Sequence, residues 1–171
     1  MICSSITKVS RLRLLIWNWL PVIAWMLLIF SASGDSSSFQ HSSRIIEPLL
    51  LWLFPGINAQ TTYSVIMAVR KCAHLTEYAI LVTLLWRALS SGIRGRRWEW
   101  RPAWQALLVV VLYAASDEFH QKFVPTREAS VLDVAIDTLG AVAGLILIRS
   151  VHYLQCKGWK RDKSSTSAVA N

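Results

Sequence analysis

Between Ser116 and Gly144 the chain sets Asp117, Glu118, His120, Gln121, Lys122, Arg127, Glu128, Asp133 and Asp137 between two strongly apolar runs. Charges at the rim of hydrophobic segments are costly unless they have partners, so the stretch reads as a site. A second polar group, Lys71, His74, Glu77 and Tyr78, opens another apolar run. Lys71 and Arg127 suit recognition of a phosphate or carboxylate. His74 with Glu77 or Asp133 suits proton transfer. Tyr78, Asp117, Glu118, Gln121 and Asp137 complete the candidate binding set. There is no GxSxG, HExxH or P-loop, and the four His do not fall at metal-ligand spacing. No metal and no cofactor is expected.

Helical spacing decides which of these residues can meet. Lys71, His74 and Tyr78 stand at i, i+3 and i+7 on one face, with Glu77 on its flank. Asp117 and Gln121 are one turn apart, with Glu118 beside them. Asp133, Asp137, Gly140 and Gly144 form one stripe. If that helix enters the bilayer near Val131, Asp137 lies roughly 9 Å below the boundary at about 1.5 Å of rise per residue. Asp133 one turn above adds like-charge repulsion. Such a pair persists with cationic partners, a shared proton, a bound cation or access to water. Lys71, His74, Lys122 and Arg127 stand at the right level, giving a charge-lined cup at one mouth of a helix bundle. The Gly140 and Gly144 pair is a GxxxG that lets another helix approach closely, and so also a docking face for a helical partner.

Each residue has a plainer role open to it. Lys71, Lys122, Arg70 and Arg127 can snorkel to headgroups. Asp117 can bind backbone amides, and Asp133 is favoured by the helix dipole. The set as a whole is read as a binding or catalytic site in preference to a purely structural network.

The elements that position it are membrane helices. Hydrophobic residues make up 54% of the 171 and charged residues 16%, against roughly 25% charged in soluble domains. Mean hydropathy is +0.40. The net charge of +8 raises the question of nucleic acid. Its distribution argues against it, because thirteen of the 18 Lys and Arg fall in three patches that flank apolar runs. Cys3, Cys72 and Cys156 are scattered and indicate neither a disulfide framework nor a zinc site.

One polytopic domain over 1–171 is expected, all-α, with about four transmembrane helices at 14–33, 72–89, 103–119 and 131–148. Residues 45–54 are apolar but too short to span, so they read as an interfacial or re-entrant segment after a polar loop at 34–43. Residues 149–171 read as a basic, frayed cytoplasmic tail. A basic start, an apolar stretch and Ser31, Ala32 and Ser33 also resemble a signal peptide. The stretch is long for that and carries three Trp, so a retained anchor is preferred. The three basic patches, taken as cytoplasmic, put both termini inside. Eight of the ten acids, all but Glu99 and Asp162, then fall on the outer side with His41, His74 and His120. The expected location is a multi-pass protein of the bacterial inner membrane.

KxxHxxxY at Lys71, His74 and Tyr78, then DExxQxFxPxR at Asp117, Glu118, Gln121, Phe123, Pro125 and Arg127, resemble the VanZ-like family. Asp133, Gly140 and Gly144 continue the likeness, which covers about 14–148. Two positions depart: Thr126 stands where the family often has Gly, and Asp137 where it often has Asn. The resemblance implies a small bacterial membrane protein of the cell envelope, associated through the family's namesake with antibiotic resistance of the teicoplanin type. The preferred expectation is an outward-facing site that binds an anionic headgroup such as a lipid-linked cell-wall intermediate, with its modification left open. Lys71 and Arg127 would hold the anion. A non-enzymatic membrane partner and a proton-coupled transporter are the alternatives.

Overall fold

Helix α3, Ala59–Ser90, is the element against which all the others are built. Its apolar residues Tyr78, Leu81, Val82, Leu85 and Ala88 recur at three- and four-residue intervals and are all buried. The computed structural model describes residues 2–34, 38–91, 98–123 and 130–169. These residues form five α-helices: α1 (Ile2–Gly34), α2 (Ser38–Leu53), α3, α4 (Trp100–Gln121) and α5 (Val131–Val169). Helix α3 packs on all four others, most extensively on α5. Among the described residues the fold is all-α.

Local chemistry accounts for the helix ends. Pro55 and Gly56 follow α2, where the helix stops. Asn58 then caps α3, its side chain accepting the Thr61 N–H at 2.7 Å. Pro102 sits in the first turns of α4, where its missing N–H is tolerated. Two local expectations are corrected. The polar run at 34–43 is not loop throughout, since α2 already begins at Ser38 and its apolar half carries the Ser-rich half into the helix. The basic tail is not frayed from Arg149, because α5 runs on to Val169 through Leu, Gln, Lys and Arg, which are good helix formers.

Two helices are long and apolar enough to cross a membrane by length and composition, over Arg13–Ser33 and Val131–Gln155. Much of what they carry is exposed, including Leu14, Leu15, Trp17, Leu20, Leu27, Leu139, Ile146 and Leu147. Contiguous apolar surface of this extent marks a membrane or interaction face. Helices α3 and α4 are interrupted by Lys71, Glu77 and Arg87, and by Arg101, Asp117 and Glu118. Helix α2 has 16 residues, fewer than the roughly 20 a span requires. It leaves Ile45, Leu49 and Trp52 exposed along one face.

The core runs through the bundle as aligned stripes: Val22 and Ile29 of α1, the α3 residues above, Ala106, Val110 and Ala114 of α4, and Ala141 of α5. The small residues on α4 and α5 let the helices approach closely. Gly140 and Gly144 are the extreme case. A Cβ on Gly140 would stand 2.9 Å from Leu75 Cα, and one on Gly144 would stand 2.8 Å from the Ala79 carbonyl oxygen. The close approach these glycines permit is therefore made with α3 of the same chain.

Candidate functional site

The core stripes change from apolar to polar toward one end, staying buried on α1, α4 and α5 and half-buried on α3. On α4, Ala106, Val110 and Ala114 are succeeded by Asp117, Glu118 and Gln121, all buried. On α1, Val22 and Ile29 lead to Ser33, on α5 Asp137 precedes Ala141, and on α3 Glu77 and His74 precede Tyr78. The result is a polar layer across one end of the helix packing. Polar groups removed from water in this way need partners.

On the α1 and α4 side the partners are complete around one oxygen. Asp117 Oδ2 accepts the Ser33 hydroxyl at 2.5 Å and the Gln121 amide at 3.1 Å. The same amide reaches Ser33 Oγ at 3.3 Å. Nearby, Trp25 Nε1 donates to the Glu77 carbonyl at 3.0 Å and the Tyr113 hydroxyl donates to the Met26 carbonyl at 2.6 Å. Glu118 acts at a helix start: its Oε2 accepts the Ser130 N–H at 2.8 Å, and Ser130 Oγ accepts the Leu132 N–H at 3.2 Å. An acid on α4 thereby sets where α5 begins.

The α3 and α5 side is looser. His74 Nδ1 lies 3.7 Å from Glu77 Oε2 and 3.9 Å from Asp137 Oδ1. Both distances are within ion-pair reach and beyond hydrogen-bonding reach. His74 and Glu77 keep 30% and 25% of their side-chain surface exposed, while Asp137 keeps 3%, so the group opens toward the outside from a buried base. The Tyr78 hydroxyl and Asp137 Oδ1 are both buried and take no hydrogen bond among the described residues. Asp137 also feels the carboxyl groups of Glu118, Asp117, Asp133 and Glu77. A bridging group or a small approach of the side chains would let this arrangement exchange a proton between an imidazole and either of two carboxyl groups. Among the described residues no group of three or more His, Cys, Asp or Glu could hold a metal ion.

His74, Glu77, Tyr78, Asp117, Glu118, Gln121 and Asp137 thus belong to one layer. Asp133 is half-buried in the first turn of α5, one turn before Asp137. Lys71 is exposed and pairs with no carboxylate among the described residues. Arg127 lies outside the described residues. Ser33 is a member that sequence reasoning placed only at the end of a span, beside a possible cleavage site. The signal was available in spacing, because Ser33 continues the Val22 and Ile29 stripe. Trp25 and Tyr113, both half-buried, also bond beside the layer, and no charge or motif in the sequence marks them.

Comparison with known proteins agrees with the motif likeness. The family model described as VanZ/LLP1 matches residues 18–152, most of the chain and every described residue of the polar layer. No curated protein and no solved structure matches the chain.

Proposed function

The chain belongs to the VanZ/LLP1 family, and on that footing we propose that the His74, Glu77, Asp137 and Tyr78 side of the polar layer is an acid/base site for an anionic envelope headgroup. One observation carries the reading. His74 stands between two carboxyl groups without closing a hydrogen bond to either of those oxygens, above a buried phenol that has no partner among the described residues. Groups held at such distances in the absence of substrate tighten when one binds. Lys71, exposed one turn outward from His74, and Arg127 would hold the phosphate or carboxylate, and the neighbouring α1 and α4 network would keep the layer rigid.

The setting is a bacterial inner membrane crossed by α1, α3, α4 and α5, with α2 lying along its outer surface and both termini in the cytoplasm. The exposed apolar faces and the basic residues at the opposite end from the layer support that orientation. Retention of α1 as an anchor is part of this reading, supported by the Ser33 hydroxyl that donates to Asp117. A reporter fused after Ser42 is expected to be extracytoplasmic. A lipid-linked cell-wall intermediate is the headgroup class favoured here, and a change in teicoplanin-type susceptibility is the phenotype to read.

The test compares wild type with His74→Ala, Asp137→Asn and Arg127→Ala, each checked for accumulation in membranes. Native mass spectrometry of the purified proteins reads retained isoprenoid phosphate or lipid, and susceptibility reads function. Retention lost in Arg127→Ala, with the phenotype lost in all three, supports the site. Variants that accumulate normally and keep the phenotype would sink it.

A further inference from the structure

The opposite end of the bundle carries an opening that the polar layer does not use. Helices α4 and α5 leave between them a cleft of about 170 Å³, lined almost wholly by apolar groups. Leu107 and Ile146 line it together with Trp98, Trp100, Trp104 and Arg149. The Arg149 guanidinium lies 4.5 Å from the centre of the Trp100 ring. Trp98 stacks on Trp86 with ring centres 5.4 Å apart and meets Trp100 edge-on at 5.9 Å, which makes one wall a fixed aromatic surface.

We propose that this cleft binds an anionic phospholipid of the surrounding bilayer, one acyl chain lying along Leu107 and Ile146 and the phosphate held by Arg149. The proposal rests on α4 and α5 crossing the membrane, and is otherwise independent of the His74 site. Charge selects the ligand. Arg149 pairs with no carboxylate among the described residues, and the described residues at the same end of the bundle include Arg87, Arg101 and Lys157 beside the acid Glu99. A guanidinium seated on an indole keeps its edge N–H groups free for a phosphate. The apolar lining selects an acyl chain over a peptide, whose backbone N–H and C=O groups would find no partners there.

The test reconstitutes the full chain into nanodiscs of equimolar phosphatidylglycerol and phosphatidylcholine and counts retained lipid by native mass spectrometry. Wild type is expected to keep phosphatidylglycerol in preference to phosphatidylcholine. Arg149→Gln should lower that retention about tenfold, the loss of one charge-assisted contact. Ile146→Trp, at an exposed position on the rim, should fill the cleft and lower it while leaving Arg149 in place. His74→Ala should leave it unchanged. Equal retention by wild type, Arg149→Gln and Ile146→Trp, or equal retention of the two lipids by wild type, overturns the proposal. So does a lipid lost in His74→Ala but kept in Arg149→Gln, which would sit in the other site. A chain recovered without detergent from the soluble fraction would overturn the membrane reading and this proposal together, whereas an inserted chain with no lipid preference overturns this one alone.

Discussion

Asp117 and Asp137 are both almost fully buried and belong to the same polar layer. Each has a buried Oδ1 with no partner among the described residues, yet they differ at the other groups around them. Asp117 has two donors on one oxygen, from Ser33 and Gln121. Asp137 has an imidazole 3.9 Å from its Oδ1, which takes no hydrogen bond among the described residues. Two donors on one oxygen of a buried carboxyl group make a joint between helices, here α1 and α4. Leaving one unsatisfied is destabilising, and such positions concentrate where a ligand or proton completes the set. On the proposed function, the α1 and α4 side is the frame and the α3 and α5 side the working half.

Substitutions can break or sharpen this contrast. The largest effect is expected from Gly140→Val, which drives a branched side chain into the Leu75 backbone at the closest α3–α5 approach. A loss of about 3 kcal/mol, at the upper end for overpacking, should be seen as a lower Tm in detergent and poor accumulation. Asp117→Ala comes next: it strands the Ser33 hydroxyl and the Gln121 amide, and stability should fall by about 2 kcal/mol. Ser33→Ala removes one of the two donors, and about 1 kcal/mol is expected by the same measurement. Asp137→Asn is expected to change stability by less than about 1 kcal/mol in either direction, because it replaces a buried unpaired acid with a neutral group of the same shape. Its effect belongs to function, through loss of the susceptibility phenotype. A stability loss for Asp137→Asn as large as that for Asp117→Ala would erase the distinction between frame and working half.

Much of the layer was legible as sequence. Lys71, His74, Glu77 and Tyr78 announce themselves because charges opening an apolar run are rare, and helical spacing puts them on neighbouring faces. Asp117, Gln121 and Asp137 were legible for the same reason. Spacing within one helix cannot say which other helix supplies the partner. Ser33 pairs with Asp117 across 84 positions of sequence, and nothing in the chemistry of a lone Ser at the end of a span reveals that. Lys71 shows the converse limit: it shares a helical stripe with His74 and Tyr78, yet it is exposed where Tyr78 is buried, because the stripe climbs out of the bundle along its length.

The chain alone determined the helical class, the apolar runs and the residue types at their rims, since these follow from local periodicity and from the energetic penalty of burying charge. It also carried the VanZ/LLP1 motifs, which are linear patterns. Only the tertiary structure decided that Gly140 and Gly144 face α3 of the same chain, that Glu118 sets the start of α5, and that Asp117 is bonded while Asp137 is left open. Those outcomes depend on helix rotation and approach, which are set by how all five helices fill space together and not by any one segment.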